Sequence, residues 1–138
     1  MTLKTKIIMI LSALFYLVVG FILTFFSFDV ASYMHLNASP LSIMMLNITG
    51  SLYLFLGVLN WMSKGNTIGG NYNQPLVWAN ILHPVITLIA MIRAVFMTKI
   101  HSRLVLILCL VYVLLGALFV HILLTNPMKP KKSIHHSK

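Results

Sequence analysis

The sequence has 138 residues, of which 59% are hydrophobic and 8% are charged. Soluble domains usually carry about 25% charged residues, so this chain has too little polar surface to coat a water-soluble globule. Ten Lys and Arg residues against one acid give a formal charge of +9, but most of these cations flank apolar runs or lie in the C-terminal tail. No basic stripe is interleaved with aromatic residues, so nucleic acid is not an expected partner.

Four apolar runs have the length of a membrane span: residues 7–26, 41–62, 76–97 and 104–124. Each would reach about 30 Å as a helix, the thickness of the hydrocarbon core. Backbone amides in lipid must be satisfied within the segment, so helices are expected. We therefore predict an all-α fold, an integral membrane four-helix bundle that forms a single transmembrane domain over residues 1–138.

The first run could also be a secretory signal, since Lys4 and Lys6 precede it. It is longer than the roughly 7 to 15 residues of a signal core, and no small-x-small cleavage site follows closely. We expect it to be retained as a span. The connecting segments, residues 27–40, 63–75 and 98–103, are too short to hold another domain.

Orientation follows from the distribution of cations on the two sides of the membrane. With the N-terminus inside, the inner side holds seven lysines in the N-terminal segment, the second connection and the basic tail (residues 125–138), against Lys99 and Arg103 outside. Both termini are therefore predicted to be cytoplasmic, although the third connection fits imperfectly. Trp61 and Trp78 are expected to anchor the inner interface, and the tail is expected to meet anionic lipid headgroups.

Small and polar residues share one face of each predicted helix, because successive residues turn by about 100°. In chain order the four faces are Ser12, Tyr16, Gly20, Thr24 and Ser27; Gly50, Tyr53, Gly57 and Asn60, with Asn47 at the border; Asn80, His83, Thr87, Ala90 and Ala94; and Cys109, Tyr112 and Gly116. Ordinary helix packing explains such faces. A polar pocket between the helices is the functional alternative.

The segment from Asn80 to Pro84 favours the pocket. A proline within a helix lacks an amide donor and clashes with the carbonyl four residues earlier, here that of Asn80. His83 would lie beside that carbonyl, although it also fits a neutral histidine that is hydrogen-bonded to a neighbouring helix. The ligand-binding residues of this hypothesis are Tyr16, Tyr53, Asn60, Asn80, His83 and Thr87.

The sequence lacks the residues that most catalytic sites use. Asp29 is the only carboxylate and Cys109 the only cysteine, so paired-acid chemistry, an intrachain disulfide and a thiolate metal cluster are not expected. Haem ligation needs a second inward imidazole, and His121 is predicted to lie opposite Tyr112 on its helix. We assign no catalytic residue and no metal site, and the sequence leaves the cofactor open.

Asp29 and Arg93 form a candidate structural ion pair. A charge inside the bilayer costs about 2.5 to 3.5 kcal/mol on insertion scales, and the guanidinium of Arg93 presents a fork that a carboxylate accepts in two bonds. Arg103 is the alternative partner of Asp29. Snorkelling of Arg93 to the interface is the simpler explanation.

The segments Phe28–Leu36 and Thr49–Gly57 resemble those of small bacterial four-helix membrane proteins of the DoxX-like group. The resemblance implies a bacterial inner-membrane location and a four-helix bundle. Proteins of this group have been linked to quinone-coupled redox systems as small subunits. The charged residues that better-known members carry near the first helix have no counterpart here, so no functional residue is transferred.

Together these observations predict a non-enzymatic membrane subunit, or a binder of a small lipophilic ligand in the bundle interior. An oligomeric small transporter or channel is the alternative, and a quinone-linked membrane redox subunit is a further one. The expected partners are the lipid bilayer and either further copies of the chain or a larger membrane complex.

Overall fold

The chain is all-helical in a computed structural model that describes residues 3–34, 38–65, 74–98 and 103–125. The helices are α1 (Leu3–Phe25), α2 (Ser27–Tyr33), α3 (Pro40–Ser63), α4 (Gln74–Thr98) and α5 (Arg103–Thr125). All except α2 are long and apolar enough to cross a membrane. The all-α prediction is confirmed, and the ends of the four predicted spans lie within about four residues of the ends of these helices. The basic tail lies outside the described residues.

The short helix α2 is the element that the sequence analysis did not predict, since it assigned residues 27–40 to a connection. Phe26, with φ −120° and ψ 32°, interrupts the helix between α1 and α2. The backbone N–H of Phe26 still donates to Ile22 at 2.9 Å, and that of Val30 donates to Phe26 at 2.9 Å. The chain therefore bends at Phe26 without losing these hydrogen bonds. Seven residues are too few for a helical period to stand out in a sequence.

The start of α3 follows from local chemistry. Ser39 is the N-cap, and its side-chain oxygen accepts a hydrogen bond from the backbone N–H of Ser42 at 3.2 Å. Pro40 occupies the first turn, where its missing N–H would have had no helical partner. The helix therefore begins one residue before the predicted span of residues 41–62.

The chain divides into two compact units, residues 1–66 and 67–138. The first contains α1, α2 and α3, and the second contains α4 and α5. A single bundle of all four long helices stays a prediction.

In the first unit, glycine brings the backbones of α1 and α3 into direct contact. A Cβ atom built on Gly20 would lie 2.6 Å from the backbone nitrogen of Leu54 and 2.8 Å from the carbonyl oxygen of Gly50. A Cβ on Gly57 would lie 2.9 Å from the backbone nitrogen of Leu17. These pairs join later residues of α1 to earlier residues of α3, so the two helices run antiparallel. Only residues without a side chain allow this approach.

In the second unit, side chains separate α4 from α5. A Cβ on Gly116 would lie 3.6 Å from Cβ of Pro84, which is an ordinary contact distance. Pro84 is fully buried within α4, and the helix continues through it. The buried apolar residues of this unit are Val77, Ile81, Pro84, Tyr112, Leu115, Phe119 and Ile122.

Gly50→Ala should lower the stability of the protein in detergent, because the added methyl group would meet the backbone of α1, 2.7 Å from the nitrogen of Thr24. Overpacking of this kind costs about 1 to 3 kcal/mol. Gly116→Ala is the matched control. Its methyl group finds ordinary contact distance, and alanine favours a helix by about 1 kcal/mol over glycine. Thermal unfolding that gave both variants the same melting temperature would contradict the close contact.

Candidate functional site

The six predicted ligand-binding residues divide between the two units. Tyr16, Tyr53 and Asn60 belong to the first, whereas Asn80, His83 and Thr87 belong to the second. A single pocket formed by all six stays a prediction. The contacts of each set lie within its own unit in the following description.

In the first unit, Asn60 takes part in a buried hydrogen-bond chain. Its side-chain amide donates to the hydroxyl of Ser12 at 3.1 Å, and that hydroxyl donates to the carbonyl of Met9 at 3.0 Å. Asn60 and Ser12 are both fully buried. These hydrogen bonds tie the N-terminal half of α1 to the C-terminal part of α3. These contacts favour the packing interpretation for Asn60.

The aromatic residues of the same face also meet. The rings of Tyr16 and Tyr53 lie edge to face, with centroids 5.9 Å apart and planes at 60°. Tyr16 is fully buried and Tyr53 is half-buried. The predicted small and polar faces of α1 and α3 therefore pack against each other.

In the second unit, the side-chain amide of Asn80 donates to the carbonyl of Leu76, one turn earlier in α4, at 2.9 Å. The ring of His83 lies edge to face on Tyr112 of α5, with centroids 5.8 Å apart. His83 and Thr87 are half-buried, but Ala90 and Ala94 are exposed.

The predicted face of α4 is therefore wrong in its C-terminal half. The buried face of α4 is centred on Val77, Asn80, Ile81 and Pro84. The predicted stripe shares Asn80 with that face but continues on its exposed side at Ala90 and Ala94.

The residues of the predicted ion pair are all exposed. Asp29 lies in the first turn of α2, in the first unit, whereas Arg93 of α4 and Arg103 of α5 lie in the second. The pairing of Asp29 with either arginine stays a prediction.

The described residues hold no group of three His, Cys, Asp or Glu side chains that could bind a metal ion. Cys109 is a free thiol and is half-buried on α5. These observations supply no candidate metal or disulfide centre within the four described ranges.

An open groove of about 360 Å³ lies between α2 and the first turns of α3. Its lining residues are Phe28, Ala38, Pro40, Ile43, Met44 and Asn47. Asn47 is the one polar side chain among these six. A mostly apolar concavity with a single polar group has the general character of a small-molecule site, and its volume is in the range of such sites, about 300 to 1,000 Å³.

The side-chain oxygen of Asn47 is buried and has no hydrogen-bond partner among the described residues. The hydroxyl oxygen of Thr24 is in the same situation. Thr24 lies against Gly50, which is three residues along α3 from Asn47. A buried acceptor without a partner costs about 1 to 3 kcal/mol. Two of them at the same end of the α1–α3 contact call for a physical explanation.

A second groove, of about 420 Å³, follows another face of α3 but has no such acceptor. The hydroxyls of Ser39 and Ser42 lie 3.1 Å apart, and Ser42 donates to the carbonyl of Ser39 at 2.9 Å. Thr49 donates to the carbonyl of Met45 at 2.8 Å. Because these hydroxyls are satisfied within α3, the groove at Asn47 is the stronger candidate.

The sequence analysis placed Asn47 at the border of a polar face and assigned it no function. The groove depends on α2, which the sequence analysis left within a connection, so no pattern could have joined Phe28 to Asn47.

No family model, no curated protein and no solved structure matches this chain.

Asn47 and Asn60 should respond differently to replacement by leucine. Asn60→Leu removes the amide that holds Ser12, so we expect a loss of about 1 kcal/mol of stability, the usual contribution of such a bond. Asn47→Leu removes an acceptor that has no partner, so the melting temperature in detergent should stay level or rise. Equal losses in the two variants would show that Asn47 has a structural role like that of Asn60.

Proposed function

We propose that this chain is a multi-pass membrane protein that binds a small lipophilic molecule in the groove between α2 and α3. The single observation that supports the proposal is an open groove of about 360 Å³ whose lining residues, among those that the structure describes, are apolar except for Asn47. A lipophilic molecule would enter such a groove from the surrounding acyl chains, and one polar group would fix its orientation.

The proposed ligand site is therefore the groove between α2 and the first turns of α3, whereas the sequence analysis expected a site in the bundle interior. The α1–α3 contact has no space for a ligand near Gly20 and Gly50, where even a methyl group would meet backbone atoms. Asn60 and Ser12 are already hydrogen-bonded to each other. The groove, by contrast, is open.

Binding is favoured over catalysis by the chemistry of the lining residues. None of the six carries a nucleophile, an acid or a base. Asp29, one residue from Phe28, is exposed on α2 and is not among them. The proposed role is therefore that of a binding subunit.

The proposed setting is the bacterial inner membrane, with both termini cytoplasmic. The distribution of lysines supports the orientation, and the resemblance to DoxX-like proteins supports the location. Four helices that are long and apolar enough to cross a membrane support the multi-pass topology.

Photolabelling tests the groove. A medium-chain alkyl diazirine added to the protein in nanodiscs should label residues of the groove saturably, and unlabelled alkane should compete. Ala38→Trp should abolish this labelling, because the indole would fill the groove. Ser51→Trp, at an exposed position of α3 outside both grooves, is the matched control and should leave it intact. Labelling that is uniform along α3 and does not saturate would contradict the proposal.

Cysteine accessibility tests the orientation. Single cysteines at Leu36 and Asn66, both outside the described residues, should react with an impermeant maleimide from opposite sides of the membrane when Cys109 is replaced by alanine. The first position should be periplasmic and the second cytoplasmic. Reaction of both from the same side would rule out four spans with this topology.

A further inference from the structure

We propose that the end of the first unit where α1 begins and α3 ends binds the phosphate of an anionic phospholipid through Lys6, Trp61 and Lys64. This site lies at the opposite end of α3 from the groove and is independent of the ligand proposed there. The proposal follows from the level of the two lysines, the contact between Lys64 and Trp61, and the position of the only acidic side chain in the sequence.

Lys6 and Lys64 lie at nearly the same level along the pair of helices α1 and α3. The hydrogen bond from Asn60 to Ser12, 3.1 Å long, marks a level that the two antiparallel helices share. Lys6 precedes Ser12 by six residues, which is about 9 Å along a helix. Lys64 follows Asn60 by four residues, or about 6 Å. Because the helices are antiparallel, both displacements lead to the same end of the unit, and the two levels differ by about 3 Å.

Lys6 and Trp61 point to the same side of this helix pair. Thr5, which lies two turns before Ser12, is buried, and so is Asn60. The next residue on each helix is turned from its buried neighbour by about 100°. Viewed from one end, successive residues of two antiparallel helices turn in opposite directions, so both turns lead to one side of the pair. Lys6 and Trp61 are both exposed there.

The ammonium group of Lys64 is held against the ring of Trp61. Its nitrogen lies 3.0 Å from the ring centroid, a cation–π contact. The ring covers one side of the ammonium, which has three N–H donors. The contact also orders a flexible side chain before a ligand binds, which lowers the entropic cost of binding. A phosphate oxygen accepts a charge-assisted hydrogen bond from a donor of this kind.

The only acidic side chain is too distant to neutralise these lysines. Asp29 is the single acid of the sequence, and it belongs to α2, which lies beside the first turns of α3. Lys64 follows the last residue of α3, which has 24 residues and is therefore about 36 Å long. The counter-ion of Lys6 and Lys64 comes from the surroundings of the protein, which favours an anionic ligand at this end.

The apolar surface beside the lysines selects a phospholipid over a free phosphate ion. Trp61 and Met62 are 42% and 72% exposed, and they continue the exposed apolar surface that Phe55 and Val58 form on α3. Since α3 is long and apolar enough to cross a membrane, this surface meets acyl chains. Indole rings and lysines at the end of a span are typical of the membrane interface. A phospholipid with a net negative charge offers a phosphate to the lysines and acyl chains to the apolar surface.

Quenching of Trp61 fluorescence by brominated lipids tests the proposal. Trp78→Phe leaves Trp61 as the only tryptophan of the chain, so the signal reports on lipids at this site. The protein is placed in phosphatidylcholine vesicles that contain a small share of brominated phosphatidylglycerol or of brominated phosphatidylcholine with the same acyl chains. Each lysine strengthens binding to anionic lipid about fivefold, so the phosphatidylglycerol should associate at Trp61 about fivefold to 25-fold more strongly than the phosphatidylcholine.

Variants in the same Trp78→Phe protein separate the two lysines from general charge. Lys6→Gln should lower the preference about fivefold, and Lys6→Gln combined with Lys64→Gln should bring the two lipids to equal association. Lys64→Arg should keep the preference, because a guanidinium retains the charge and the contact with an aromatic face. Arg103→Gln is the matched control, since it removes one exposed cation at the start of α5, in the second unit. The preference should be unchanged in this control.

Four results would overturn the proposal. The first is equal quenching by the two lipids in the Trp78→Phe protein, and the second is a preference that persists when both lysines are Gln. The third is a loss in Arg103→Gln as large as that in Lys6→Gln, which would show that only the total charge of the protein matters. The fourth is loss of the preference in inorganic phosphate but not in chloride of equal ionic strength, which would indicate a site for the free ion.

Discussion

The backbone contact between α1 and α3 is the constraint on which the first unit depends. Three glycines remove the side chains that would hold the helices apart, and backbone atoms of the two helices then meet directly at Gly20 and Gly50. Because the backbones of α1 and α3 are in contact, the side chains beside these glycines have little space between the two helices. The same contact aligns Asn60 with Ser12 and the ring of Tyr16 with that of Tyr53. Packing through small residues is an effective way to associate helices where water supplies no hydrophobic driving force.

The contact also explains why the two asparagines of α3 differ. Asn60 lies where the helices run side by side, and its amide finds the hydroxyl of Ser12. Asn47 lies towards the start of α3, where the chain leaves α1 at Phe26 and turns into α2. Phe28 and Ala38, whose side chains offer no hydrogen bond, are among the described residues that line the groove with Asn47. The groove between α2 and α3 follows from this divergence.

The second unit packs by a different principle. Pro84 and Gly116 meet at ordinary contact distance, and the ring of Tyr112 on α5 lies against that of His83 on α4. The side-chain amide of Asn80 donates a hydrogen bond within its own helix. Packing here relies on side-chain shape, which tolerates small changes in volume better than backbone contact does.

The sequence by itself determined the all-helical class, the four long apolar helices with their ends, and the small and polar faces of α1 and α3. These properties are local: about 20 apolar residues need internal hydrogen bonds, and a helical period places Tyr16, Gly57 and Asn60 without knowledge of their partners. Only the tertiary structure decided which polar groups on those faces are satisfied, because satisfaction requires two atoms from distant parts of the chain to come within hydrogen-bond distance. Asn47 and Asn60 are the same residue type on one helix, and no pattern in the sequence separates them. The helix α2 was likewise decided by its packing, since seven residues gain too little from propensity alone and the burial of Ser27 and Ala31 supplies the rest.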